Sequence, residues 1–197
     1  MNDKTMFNLT YGLFVLTASL DGKDNGCIIN TAGQVTAVPN RISIAVNKSN
    51  FTHDMILASG KFNVSILSEE ADFSIFKRFG FQSGRDVNKF DGYEHAVRGE
   101  NGIYYVTEGT NGFISAQVKT TLDLGTHTLF IAGVTDMDVL SDIPSTTYTY
   151  YQNHIKPKPL PKTESEKGVT IWRCRICGYE YKGDVLPDDF ICPICKH

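Results

Sequence analysis

The sequence is short of the features that define several large classes of protein. Its longest apolar runs fall well under the roughly 18 residues that cross a bilayer as a helix. Its formal charge is only −3, so no broad basic field attracts nucleic acid. The start, Met1-Asn2-Asp3-Lys4-Thr5, is polar and lacks the apolar core of an export signal. There is no GxGxxG turn, no P-loop, and no hydrolase triad or zinc-hydrolase motif. A cytoplasmic protein that binds neither membrane nor nucleic acid is expected. The apolar share of 41% is ordinary for a globular chain and excludes wholesale disorder.

Cysteine is scarce until the end. Cys27 stands alone, and the other four, Cys174, Cys177, Cys192 and Cys195, crowd into the last stretch. A secreted disulfide scaffold spreads its cysteines and carries an export signal. Two close Cys-x-x-Cys pairs point to metal instead. Each pair makes a tight loop whose sulfurs converge, and two facing loops close a tetrahedral four-thiolate site. The module from Val169 to His197 is too small to fold on a core alone, so bound metal supplies much of its folding free energy. Acidic and basic side chains balance within it, four of each, which removes the case for a nucleic-acid-binding zinc ribbon. Tetrahedral sulfur suits both zinc and iron.

Residues 1–155 read as one β-rich domain. Tyr11 to Leu20, Phe62 to Leu67 and Thr128 to Val134 are strand candidates, and Ile42, Ile44 and Val46 alternate with smaller residues as a half-buried strand does. Asp21-Gly22, Asn25-Gly26, Asp91-Gly92, Asn101-Gly102 and Asn111-Gly112 are expected to break the strands. One short helix is expected after Asn50-Phe51-Thr52, with Asp54 in its first turn and Gly60 past its end; another is expected near Glu70 to Phe79. Many short strands with few helices predict a barrel. Residues 156–168, rich in Pro and Lys and poor in anything to bury, read as a linker or an arm laid on the first domain. The third segment is 169–197.

Lys48-Ser49-Asn50-Phe51-Thr52-His53 is the most informative stretch of the first domain. Hydroxyls and a lysine at a helix N-terminus make a ready phosphate site. The same residues also serve as simple helix caps.

Two resemblances sharpen this reading. Trp172, Cys174, Cys177-Gly178-Tyr179 and the run Leu186-Pro187-Asp188-Asp189-Phe190-Ile191-Cys192-Pro193-Ile194-Cys195 resemble rubredoxin, with the 14-residue spacing of the compact form at the end of rubrerythrins. This implies one iron on Cys174, Cys177, Cys192 and Cys195, with a structural zinc ribbon as the alternative. Leu16-Thr17-Ala18, Cys27 to Thr31, Lys48 to His53, Phe81 to Phe90 and Leu124 to Ile131 resemble, in order, the flavin reductase-like FMN-binding split barrels that include flavoredoxins. The combination is similar to the high-molecular-weight rubredoxins.

The resemblance implies a mostly β fold: an FMN-binding split barrel with short helices and a small rubredoxin-like tail. It implies Asn30 and Thr31 beside the flavin ring, and Lys48, Ser49, Asn50 and Thr52 on the FMN phosphate. His127 is implied near the flavin and nicotinamide, although a strand-end histidine satisfied locally reads equally well. Arg85 and Lys89 are implied at the phosphate or at NAD(P)H, or form a solvated charged loop. Cys27 is expected to be a buried, inert thiol with no basic residue beside it. The implied activity is an NAD(P)H-dependent oxidoreductase that passes electrons through FMN to iron and on to a flavodiiron protein reducing nitric oxide or oxygen. The alternatives are a carrier reduced by a separate reductase, and a flavin or ferric reductase with zinc in its tail. A homodimer is implied as well.

Overall fold

The computed structural model describes residues 2–157, 170–174, 179–183, 185–187 and 190–192. The proposed linker, apart from Lys156 and Pro157, lies outside the described residues, as do Cys177 and Cys195. Among the described residues, no helix is long and apolar enough to cross a membrane.

Seven strands make the main sheet: β1 (Phe14–Leu20), β2 (Lys23–Ile29), β3 (Gly33–Ala37), β4 (Asn40–Asn47), β5 (Lys61–Leu67), β8 (Thr110–Asp123) and β9 (His127–Val139). They pair in the order β2-β1-β5-β8-β9-β4-β3, all antiparallel. A smaller hairpin joins β6 (Ala96–Arg98) to β7 (Tyr104–Val106). Two helices, α1 (Phe51–Ser59) and α2 (Phe73–Gly80), complete the frame.

The sheet is rolled. β2 and β4 are far apart in pairing order, yet Cys27 and Ile29 of β2 share one buried cluster with Ile42, Ile44 and Val46 of β4. Met55 and Ile56 of α1, Phe62 and Val64 of β5, and Phe130 and Ala132 of β9 fill the same cluster. β2 and β3 stand at opposite ends of the pairing order yet are joined by residues 30–32 alone, so the sheet curls back on itself, which is the expected barrel, split along one side. β1 is buried on both faces. Leu16 and Ala18 point into the barrel, whereas Val15 meets Ile75, Phe76 and Phe79 of α2 on the outside. The two-residue period of a strand produces this division.

α1 begins and ends where the sequence predicts, with Gly60 closing it at φ 69°, a left-handed conformation that glycine adopts cheaply. α2 starts later than expected because Asp72 accepts a hydrogen bond from Ser74 N and fixes the first turn there. Two expected breaks lie inside strands. Asn25-Gly26 sits within β2, where a Cβ on residue 26 would press on Phe79 at 3.0 Å. Asn111-Gly112 opens β8, and there the carbonyl of Asp138 comes within 3.1 Å of the missing Cβ. Both glycines serve close packing rather than turning. Beyond the expected helices, the chain forms a 3-10 turn at Asp3–Asn8, a short helix α3 (Tyr148–Tyr150) and a π-helical turn at Tyr151–Ile155. Tyr151 of that turn packs on Phe76 with ring centroids 4.3 Å apart, tying the end of the domain to α2.

In the tail, β10 (Ile171–Arg173) and β11 (Glu180–Lys182) pair as a hairpin. Cys174 N donates to the Tyr179 carbonyl at 2.8 Å just beyond it. Phe190 lies against Tyr181, and Cys192 is buried.

Candidate functional site

The end of β4 and the first turn of α1 bring most of the predicted flavin contacts to one place. The β4–α1 loop carries Lys48, Ser49 and Asn50. Lys48 N donates to the carbonyl of Thr126, in the β8–β9 turn, and Asn47 pairs with His127. Thr126 and His127 therefore stand beside Lys48. Thr31 reaches the same region from the β2–β3 connection, where its hydroxyl donates to the Ala45 carbonyl at 2.7 Å. Asn30 is half-buried just before it.

The first turn of α1 is not capped by its own sequence. Asn50 occupies the N-cap position but makes no side-chain cap bond. The Ser49 hydroxyl donates instead to Asn47 Oδ1 at 2.8 Å. Thr52 is fully buried and accepts from Asn25 Nδ2 at 3.0 Å. Helix-end N–H groups are costly to leave without acceptors, so these residues fit an anionic ligand better than the capping role they could have taken. Asn25 braces the turn from behind. It is 1% exposed, and its Oδ1 has no partner among the described residues.

Two cations frame this turn. Lys48 Nζ is paired with Asp123 at 2.7 Å. That pair and the N–H of Gly125 hold the Asp123 carboxyl below its usual range. Both partners are well exposed, so the pair is worth little and leaves Lys48 available. Arg85 lies in the loop after α2. Its Nη2 donates to Asp54 Oδ2 at 2.7 Å, and its guanidinium lies over Phe51, 5.0 Å from the ring centroid. Arg85 is thus ordered against α1 rather than loose in a solvated loop. Nearby, Phe51, Gly84, Arg85, Asp86, Lys23 and Tyr104 line a cleft of about 490 Å³.

Lys89 departs from expectation. It is 3% exposed, and its ammonium donates to the carbonyls of Gly26 and Phe79 at 2.8 and 3.1 Å. It is neither a phosphate contact nor a solvated charge; it pins the loop to β2 and α2. Burial lowers its pKa to about 8, and the neighbouring Cys27 offsets part of that. The same proximity corrects the expectation that Cys27 has no basic neighbour. Burial still dominates and pushes the Cys27 thiol up; Thr52, Lys89 and Asn50 offset only part of it. The thiol stays protonated, in keeping with an inert role.

His127 Nδ1 lies 2.9 Å from the Thr126 hydroxyl, so its nearest partner is a side chain rather than backbone. Its position beside Lys48 leaves it next to the α1 turn. Of the four expected metal ligands, Cys174 and Cys192 are described, while Cys177 and Cys195 lie outside the described residues.

The rolled sheet and the open helix turn define a flavoprotein-type barrel followed by a cysteine module. Residues 6–158 match the flavin reductase like domain, and residues 172–197 match the rubrerythrin, rubredoxin-like domain. The chain belongs to the flavin reductase-like family. It is 36% identical to a high molecular weight rubredoxin of Moorella thermoacetica, with 99% of this chain and 96% of that one aligned. It is 37% identical to a ferric-chelate reductase (NAD(P)H) of Archaeoglobus fulgidus over 83% of this chain and 95% of that one. Among solved structures, the NADH:FAD oxidoreductase SgcE6 of Streptomyces globisporus superposes with a TM-score of 0.65 at 20% identity, covering 73% of this chain and 84% of that one. Flavoredoxin from Methanosarcina acetivorans gives 0.59 at 22% identity, covering 70% and 72%.

Proposed function

We propose that this chain is an NAD(P)H-dependent electron-transfer flavoprotein that passes electrons through FMN to one iron held by Cys174, Cys177, Cys192 and Cys195, and on to a flavodiiron protein reducing nitric oxide or oxygen. The observation that carries the reading is the uncapped first turn of α1, with Lys48 and Arg85 at its sides. A helix N-terminus with flanking cations suits a phosphate monoester such as that of FMN. Residues 1–155 carry the flavin, 169–197 carry the iron, and 156–168 tether them at high effective concentration.

When bound, FMN accepts a hydride and releases electrons singly, and iron in four thiolates takes them one at a time. The chain's own work is positioning. Lys48, Ser49, Asn50 and Arg85 hold the phosphate, while Thr52, fully buried and bonded to Asn25, braces the turn rather than touching the phosphate. Asn30 and Thr31 flank the ring, and His127 orients the nicotinamide beside it and keeps water out. Hydride transfer needs no general base, which agrees with the absence of a hydrolytic triad. In the tail, the thiolates form the donor set, and Tyr179, Tyr181 and Phe190 limit solvent around it. The protein acts as a cytoplasmic homodimer. Clustered cysteines suit a reducing compartment. Val38, Leu122 and Leu124, exposed at the tips of two hairpins, are apolar enough to favour burial against a second copy.

The relation to a ferric-chelate reductase favours one second reading: a ferric reductase whose tail is a structural zinc ribbon. Metal analysis of protein from iron-sufficient cells, combined with NADH and NADPH oxidation assays using a flavodiiron protein or a ferric chelate as acceptor, separates the two. Stoichiometric iron and turnover with the flavodiiron protein are expected. Zinc in the tail with turnover on ferric chelate alone overturns the proposal.

A further inference from the structure

The Arg85 guanidinium is held by a continuous line of side chains that starts inside the barrel. Thr128 of β9 places its hydroxyl 2.9 Å from His53 Nε2. His53 is buried and edge-on to Phe130, with ring centroids 5.7 Å apart, and its Nδ1 lies 3.0 Å from Asp54 Oδ1. The other oxygen of that carboxylate receives Arg85 Nη2 at 2.7 Å. Phe51 beneath the guanidinium completes the clamp. A carboxylate fixed through one oxygen by a buried ring presents the other in a defined direction. The arginine it holds is thereby pre-oriented, and less of its side-chain freedom is lost on binding an anion.

The loop bearing Arg85 is seated independently of this pair. Gly84 packs so closely on the Asn25 amide that a Cβ there would overlap it, and Arg85 N donates to the Ser83 hydroxyl oxygen at 3.2 Å. Asn25 in turn donates to Thr52 in the first turn of α1. The loop backbone is therefore docked on Asn25 of β2, which is itself tied to α1, and the Asp54 contact has the narrower task of aiming the guanidinium. Among the described residues, only Nη2 of Arg85 is engaged by a carboxylate. Nε and Nη1 are left to meet a second anion, and a planar fork can serve two oxyanions at once.

We infer that Asp54 is a positioning residue for the flavin phosphate, acting through Arg85 and itself fixed by His53 and Thr128. This rests on the reading of the α1 turn as the FMN phosphate site. A negative charge in the first turn of α1 also opposes a second anion there by simple repulsion. Removing the charge is therefore expected to weaken FMN binding, where repulsion alone would have it tighten.

The test compares FMN with riboflavin, which has the same ring and no phosphate. The full-length chain is stripped of flavin, and quenching of flavin fluorescence is titrated for wild type, Asp54→Asn, Asp54→Glu and Arg85→Ala. Asp54→Asn is expected to weaken FMN on the order of tenfold and leave riboflavin within about twofold. Asp54→Glu is expected to recover most of the loss. The double variant Asp54→Asn/Arg85→Ala should bind FMN no worse than Arg85→Ala alone, because both act through one group. Equal weakening of both flavins, or tighter FMN binding in Asp54→Asn, overturns the inference. Arg85→Ala keeps the two failures apart. If that variant lowers FMN affinity selectively and Asp54→Asn does not, the positioning role alone fails. If Arg85→Ala leaves the FMN-to-riboflavin ratio unchanged, the phosphate site itself is misplaced and the positioning role falls with it.

Discussion

Lys89 donates its ammonium to the backbone carbonyl of Gly26 at 2.8 Å, reaching from the loop after α2 into the middle of β2. A nearly unexposed ammonium held by neutral carbonyls has no carboxylate partner among the described residues, and desolvation lowers its pKa. This contact makes the loop that carries Gly84 and Arg85 part of the barrel wall.

The lysine has a thermodynamic signature. Its pKa is about 8 in the folded chain against the usual 10.5 of an exposed lysine. Between those values the unfolded chain binds more protons than the folded one, so stability rises with pH across that window. The full difference is worth roughly 3 kcal/mol. Tyr93 and Cys27 act in the opposite direction at alkaline pH, because burial raises both. The comparison must therefore be made against Lys89→Met. Urea unfolding at pH 7.5 and pH 9.5 should show wild type gaining on the variant by about 1–2 kcal/mol. A constant difference would show that the ammonium is solvated.

Gly84 and Asn25 predict a mutual rescue. Gly84→Ala drives a Cβ into a side chain that cannot swing away, because Asn25 is buried and bonded to Thr52. A cost of about 1–3 kcal/mol is expected in chemical denaturation. Asn25→Gly removes the obstacle, so the double variant should be more stable than the two single costs add up to. Strict additivity would mean that the loop does not rest on Asn25.

His127 is expected to act on the nicotinamide rather than on flavin binding. His127→Gln should lower kcat/KM for NAD(P)H about tenfold, on the scale of a lost positioned hydrogen bond, with FMN affinity unchanged. Stopped-flow reduction under anaerobic conditions measures the first, and fluorescence titration the second. An unaltered reduction rate would leave His127 as a strand-end residue satisfied by Thr126.

Much of this architecture is legible from residue pattern alone. The Ile42, Ile44, Val46 alternation is buried as expected, and α1 runs from the Asn50 signal to Gly60. Those features depend on neighbours in sequence, which periodicity and turn chemistry report. The misread features depend on distant partners. Asn25-Gly26 and Asn111-Gly112 look like turns because the residues that need the missing Cβ, Phe79 and the Asp138 carbonyl, lie far along the chain. Lys89 looks solvated in a charged stretch, and nothing local reveals that Gly26 and Phe79 will accept from it. The Asp54–Arg85 pair spans 31 positions, and the sequence offers Asp54 only as an ordinary first-turn acid. Asn25, a polar residue in an otherwise buried strand segment, is the one local signal that a buried polar contact lies there.

A single anaerobic reductive titration tests whether two redox stations lie on one chain. Protein from iron-sufficient cells, reconstituted with FMN, is titrated with NADH while its visible spectrum is followed, beside a Cys192→Ser variant. The flavin and iron bands of the wild type should both bleach, with about three electrons taken up per chain. The variant should retain flavin, lack the iron bands and take up about two. Flavin bleaching in the wild type with an iron band that stays oxidised, or a colourless zinc-loaded tail, would contradict it.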